Sequence, residues 1–415
     1  MAIDLAAVYR DLHANPELSF QEHRTAGIVA AALERLGLMV TTGIGRTGVV
    51  GVLENGDGPT VLLRADMDGL PVLEATGLPY ASTSRGTELD GTDVPVMHAC
   101  GHDVHVTCLL GATERLAGER DTWSGTLVVV FQPAEELGTG AEAMIADGLL
   151  DRIPAPDVVL GQHVAPFPAG FAAIRPGVVL AGADSLTIRM HGAGGHGSRP
   201  ETTVDPVYLA ASTTVRLQGI VARELAASDA AVVTVGQLHA GTKHNIIPDQ
   251  ATLGLNIRTF DEAVRAKVLA SIERIARSEA AASRAPKEPE FEYEGRFPLT
   301  VNDPVATERT AAALRSALGA DHVIDPGVAS ASEDVGAFAT AAGAPLVYWF
   351  IGGSDPALFG DALATGRMPD GIPSNHSPFY APLIEPTLEV GVTALVAGAR
   401  EWLDGPGTTG HPSAT

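Results

Sequence analysis

Four short apolar runs, VVGVLE, TVLLRAD, GTLVVVFQP and DVVLGQHV, follow one another through the first half of this 415-residue chain. Their apolar residues are consecutive rather than alternate, as in strands covered on both faces. Helical patterns such as QEHRTAGIVAAALERLG, closed by Gly37, separate them. Strands that alternate with helices in this way belong to a largely parallel sheet between helical layers. The expected fold class is α/β, a mostly parallel mixed sheet covered by helices. Polar residues gather where the runs stop, at Asp66, Asp68, Glu135, Glu136 and His163. The carboxyl ends of strands are where open α/β sheets bind ligands.

From Ala181 the pattern changes. DSLTIRMHG, TVDPVYLAASTTVRLQGIVAREL, AAVVTVGQL, ATLGLNIRTF, DEAVRAKVLASIERIARSEAAAS and EFEYEG read as strand, helix, strand, strand, helix, strand. That βαββαβ order is the α+β split-βαβ, or ferredoxin-like, sandwich. After Gly295 the first style resumes with the helical pattern ASEDVGAFATAAG, the strand PLVYWFIGG and an apolar helix from Glu385 to near Leu403. The expectation is a discontinuous larger domain, residues 1–180 and 296–415, with a smaller domain, residues 181–295, inserted into it. Single cores stop growing beyond ~250–300 residues, so two domains suit the length. The tail GPGTTGHPSAT reads as frayed.

The net charge of −23 repels phosphate backbones and acidic lipid, which argues against nucleic acid and membrane as partners. The start lacks a basic head followed by an unbroken apolar stretch, and no segment reaches ~18 apolar residues without charge. A cytoplasmic protein is expected. With only Cys100 and Cys108 there is no disulfide framework, so Cys100 needs another explanation.

Cys100 and His102 stand two apart in HACGHD, on a loop before an apolar-striped helix. A thiolate and an imidazole at that spacing can meet one metal or neighbouring metals, although a buried cysteine is more often a small hydrophobe. FQPAEE is the stronger signal. Glu135 and Glu136 follow an apolar run directly, and adjacent buried carboxylates require a compensating cation or a proton. One can bind metal while the other moves a proton. His163 ends an apolar strand and His376 sits in the loop SNHSPF. Lone histidines at such places are more often structural, but both fall at the strand-end edge. His191 and His196 lie in the glycine-rich MHGAGGHGSRPE, where an imidazole can donate to a substrate or the glycines simply shape a turn. His13, His23, His239, His322 and His411 have no companion pattern.

GIGRTG, Gly43 to Gly48, matches a dinucleotide-binding GxGxxG with Asp68 at a suitable distance. That fingerprint must open a helix, whereas VVGVLENGDGP reads as strand and turn, so no pyrophosphate cradle is expected.

Together the motifs HANPELSFQE, LLRADMDGLP, MHACGHDVH, FQPAEELGTGA, GQHV, GGHGSRPE, HNIIPD, SEDVGAF and NHSPFY run in order along most of the chain. In this it resembles the dinuclear-metal aminoacylase and carboxypeptidase superfamily, in its amidohydrolase branch of hippurate hydrolases, auxin-conjugate hydrolases and N-acyl-amino-acid amidohydrolases. The resemblance implies that Cys100, His102, Glu136, His163 and His376 hold two divalent metal ions, zinc or manganese ahead of cobalt or nickel. It implies that Glu135 is general base and acid, and that Asp68 orients a ligand. His196, Asn245 and Arg258 match the substrate-contacting set, and the inserted domain is expected to form a homodimer. Much of the wider superfamily has a bridging aspartate where Cys100 stands, so the cysteine points to the amidohydrolase branch. The expected reaction is hydrolysis of the amide bond of an N-acyl amino acid, with metal-bound water activated by Glu135. The alternatives are a dipeptidase, carboxypeptidase or carbamoyl-amide hydrolase of the same superfamily, and a non-catalytic metal-dependent binding protein.

Overall fold

The computed structural model describes residues 2–360 and 369–403. His411 and the tail lie outside the described residues. Contacts divide the chain into two compact units. The first comprises Met1–Val179, Val301–Gly327 and the chain from Asp334 onward; the second comprises Leu180–Thr300 with Val328–Glu333.

In the first unit the four apolar runs are strands of one eight-stranded sheet. At its centre lie Gly125–Gln132, Thr60–Asp66, Val158–Pro168 and Leu346–Ser354, adjacent in that order and mutually parallel. Antiparallel Gly48–Asn55 and then Met39–Ile44 extend one side, and Ala172–Ile174 and Val323–Ile324 the other. All seven residues of Thr60–Asp66 are buried. Val61, Leu63 and Ala65 join the large core with residues of Leu5–Ala14, His23–Arg35, His102–Gly118, Pro304–Leu318 and Thr387–Leu403. Leu62, on the opposite face, is equally buried, as expected for a strand between two layers. GIGRTG makes the turn between antiparallel strands rather than a helix start, so the dinucleotide reading fails on geometry.

The second unit is a four-stranded antiparallel sheet in the order Ala231–Ala240, Gln250–Thr259, Gly182–His191, Glu290–Phe297. Leu186, Ile188 and Met190 alternate onto one face and pack with Leu209, Val268 and Ile272 of its two helices. Strand order and helix placement are those of the split-βαβ sandwich. The helix expected over 203–225 is Pro206–Leu217, capped by the Asp205 carboxylate on the Val207 N–H, and a π-turn Ile220–Glu224 follows. The helix expected over ASEDVGAFATAAG is confined to Gly336–Ala342. The Asp334 carboxylate before it is engaged by Arg64, Gln132 and the Ala141 N–H. No helix among the described residues is long and apolar enough to cross a membrane.

Candidate metal centre

Three backbone turns bring distant side chains to the carboxyl ends of the central strands. Gly101 adopts φ +86°, and a Cβ there would lie 2.4 Å from Val164 Cγ1, so only glycine fits between Cys100 and His102. The next residue, His102, opens the helix His102–Gly118 and is fully buried. Beyond Gln132 the chain turns through Ala134 at φ +50° into the short 3₁₀ turn carrying Glu135 and Glu136. The buried Glu22 carboxylate accepts the N–H groups of Ala134 and Phe20, both at 2.9 Å, and so pins that turn. Burial and the charge of Asp68 raise the Glu22 pKa to about 7 against the opposing Thr47 bond. His376, at φ +69°, donates its N–H to Ala99 O at 2.8 Å, and Asn375 Nδ2 donates to Cys100 O at 3.0 Å. Thus the loop near residue 376 is tied to the loop near residue 100.

All the sequence-predicted ligands come together. Cys100 Sγ lies 3.4 Å from His163 Nε2, and Glu136 Oε2 lies 3.4 Å from His376 Nε2. His102 Nε2 lies 3.8 Å from Glu136 Oε1 and 3.9 Å from Glu135 Oε2. Ligand atoms of Cys100, His102 and His163 are all within 4.8 Å of one another, as are those of Cys100, Glu136 and His376. His102, Glu135 and Glu136 form a third such group.

The ring tautomers follow from the outer bonds. His163 Nδ1 is 2.7 Å from Val164 O, which can only accept, so its Nε2 presents a lone pair toward Cys100. His102 Nδ1 donates to Asp68 Oδ1 at 3.1 Å, leaving Nε2 to face the glutamates. Asp68 Oδ2 accepts the Ser19 hydroxyl at 2.6 Å and the Glu136 N–H at 3.1 Å. One carboxylate therefore sets both an imidazole and the backbone of the neighbouring glutamate, the support that metal-binding histidines ordinarily have.

Electrostatics point the same way. Burial raises the Cys100 thiol well above its usual pKa, and Glu136, Glu135 and Asp66 push it further. Burial opposes charge on His102, but Asp66, Asp68 and Glu136 overcome this and hold its pKa up at about 10. The carboxylates Asp66, Asp68, Glu135 and Glu136 still outnumber the cations beside them, a protonated His102 and Arg64, which is paired to Asp66 at 2.7 Å and Asp334 at 3.1 Å. His102 Nε2 and Glu136 Oε1 are buried without a hydrogen-bond partner. Such atoms are costly unless a ligand satisfies them. A thiol, three imidazoles and a carboxylate suit a zinc-like or manganese-like divalent ion.

Sequence reading missed part of the support. His105 lies one helical turn beyond His102; its Nδ1 pairs with Asp66 and its Nε2 accepts the Val164 N–H at 2.8 Å. The i, i+3 spacing of His102 and His105 in MHACGHDVH was the available signal. Ser19 and Glu22 fall in the motif HANPELSFQE, but nothing in it assigned either residue a role. His13 is buried between Asp103, at 2.6 Å, and Glu74, at 3.1 Å, in an ion network outside the cluster.

His196, Asn245 and Arg258 all lie in the second unit. His196 pairs with Ile246 in a two-residue ladder, and Gly197 N–H donates to Asn245 O at 2.8 Å. His196 Nδ1 accepts the Ser198 N–H at 3.1 Å, so the exposed ring carries its proton on Nε2. Arg258 donates to Ser332 at 2.6 Å and Asn256 at 3.0 Å, and it pairs with no carboxylate among the described residues.

Comparison with known proteins gives a coherent set. Residues 62–396 match the model of peptidase family M20/M25/M40. The chain is 39% identical to thermostable carboxypeptidase 2 of Saccharolobus solfataricus over 350 residues, 83% of this chain and 84% of that one. It is 44% identical to the hippurate hydrolase of Campylobacter jejuni over 260 residues, 62% and 65% of the two chains. The crystal structure of the Bacillus subtilis YXEP protein, a dinuclear metal binding peptidase from the M20 family, superimposes with a TM-score of 0.75 at 28% identity. That superposition covers 96% of this chain and 98% of that one.

Proposed function

The chain belongs to peptidase family M20/M25/M40 and is a hydrolase of amide or peptide bonds; we propose that its reaction is the hydrolysis of N-acyl amino acids to a carboxylic acid and an amino acid. The observation that carries this reading is the convergence of Cys100, His102, His163, Glu136 and His376 around orphaned ligand atoms, with Glu135 beside them.

In this proposal those five side chains hold two divalent ions, which supply Lewis-acid polarisation of the scissile carbonyl and raise the acidity of the attacking water. Glu135 takes the proton that water loses as its oxygen bonds to the carbonyl carbon. It returns a proton to the amide nitrogen as the C–N bond breaks. Asp68 holds His102 in the tautomer that offers Nε2. In the same proposal His196 is the oxyanion donor, and Asn245 and Arg258 are the partners of the free carboxylate of the amino-acid half. The second unit supplies the dimer interface. Support for that comes from Tyr208, Val215, Val232 and Leu238, all strongly exposed, and from Ala231–Ala240 at the margin of its sheet.

The assay is release of free amino acid from N-acyl amino acids by the metal-loaded chain, with and without chelator, alongside unblocked dipeptides. Chelator-sensitive release from the acylated substrates is expected. The carboxypeptidase relative favours a second reading, peptide cleavage. Turnover of unblocked dipeptides with none of the acylated substrates would select it.

A further inference from the structure

A cavity of ≈ 430 Å³ opens beside the metal cluster, within the first unit. Its walls are Leu18, Leu70, Pro71, Leu89 and Leu137, and its lining includes the cluster's own Glu136. Ser19, which donates to Asp68, also lines it, so the wall is hydrogen-bonded to the cluster. Leu89 and Leu137 leave 76% and 39% of their surface exposed. Apolar side chains presented around a concavity next to reactive groups are the ordinary build of a small-molecule site.

Charge decides which half of a substrate enters. The charged groups in the lining are Glu88, Asp90 and Glu136, all acidic. With Glu136 engaged as a ligand, an amino acid's free carboxylate would still meet Glu88 and Asp90, both of its own sign, there. The carbonyl side of the amide carries no charge, and with that carbonyl at Glu136 the group attached to it extends toward the leucines. An acetyl group would leave most of a cavity of this size unfilled.

We propose that this cavity is the acyl subsite, and that it selects bulky, uncharged apolar acyl groups over acetyl and over acyl groups ending in a carboxylate. The assignment rests on the hydrolase reading above and adds the substrate class to it.

The test is kcat/KM for the metal-loaded chain on one amino acid bearing N-acetyl, N-butanoyl, N-hexanoyl, N-octanoyl, N-benzoyl and N-succinyl groups. Each added methylene is expected to raise kcat/KM about fourfold until the cavity is filled. Benzoyl should exceed acetyl by at least about tenfold, and succinyl should fall below butanoyl. Leu89→Arg places a cation at the exposed rim and should raise the succinyl-to-butanoyl ratio about fivefold. Leu70→Trp fills the cavity and should lower the octanoyl-to-acetyl ratio. Hydrolysis of all the N-acyl substrates at rates independent of acyl size and charge would overturn the acyl subsite and leave the proposed reaction standing. Hydrolysis of none, with cleavage of unblocked dipeptides, would overturn both.

Discussion

Replacing Asp68 by asparagine removes one charge and little volume, yet it is expected to disable a ligand the substitution does not touch. Oδ1 of Asp68 receives the His102 Nδ1 proton at 3.1 Å, while Oδ2 receives Ser19 at 2.6 Å and Glu136 N–H at 3.1 Å. An amide offers one acceptor face where the carboxylate offers two. If its oxygen serves Ser19 and Glu136, its NH₂ faces His102 Nδ1. The ring then accepts there and carries its proton on Nε2, which withdraws the lone pair from the cluster. If it turns the other way, the NH₂ opposes the Glu136 N–H, and a buried donor left unsatisfied costs about 1–3 kcal/mol. Because the first orientation preserves two bonds, the loss falls on metal binding, by about 10- to 100-fold in affinity. That equals about 1.4–2.7 kcal/mol. Competition against a fluorescent chelator at fixed pH measures it directly, and excess metal should restore most of the activity. Affinity within about twofold of the parent would refute the claim that Asp68 sets the His102 tautomer.

Two further substitutions probe the frame around the centre. Burial opposes a charge on His13, but Asp103 and Glu74 raise its pKa to about 10 from 6.5. Its stabilisation is therefore complete below pH 6.5 and is lost as pH rises through about 10. His13→Ala should destabilise the fold by about 3–5 kcal/mol at neutral pH and flatten the stability profile over that window; denaturant melts across pH check both, and a parallel profile would contradict the ion network. Gly101→Ala combines a left-handed backbone with the 2.4 Å approach to Val164 Cγ1. It should cost about 2–4 kcal/mol of stability, read from the denaturation midpoint, and an unshifted midpoint would show that the loop accepts a side chain.

The strands were legible because their apolar runs are continuous, and the polar residues at their ends were legible for the same reason. Where Leu62 and Leu63 must both be buried, the composition has little freedom, and Asp66 and Asp68 stand out beside them. The second unit was readable through alternation, since Leu186, Ile188 and Met190 face one side only. The supports were harder to see. Ser19 and Glu22 act on the Asp68 and Ala134 regions through single hydrogen bonds across 49 and 112 residues, and nothing periodic marks such a partner. His105 had a helical spacing that pointed to it, but a histidine one turn from a suspected ligand has several uses. Only the Val164 N–H on its Nε2 separates the supporting role from the liganding one. The break after Leu217 falls just before Gly219, a residue of low helix propensity, whereas the late start at Gly336 follows Asp334, whose carboxylate is engaged by Arg64, Gln132 and the Ala141 N–H.

The division of labour between the adjacent glutamates is the centre of this account, and Glu135→Gln tests it most directly, with metal content and turnover measured on the same preparation. The prediction is two equivalents of divalent metal per chain, as in the parent, and kcat lower by about 10²- to 10⁴-fold. Near-parental turnover, or loss of the metal along with the activity, would contradict it.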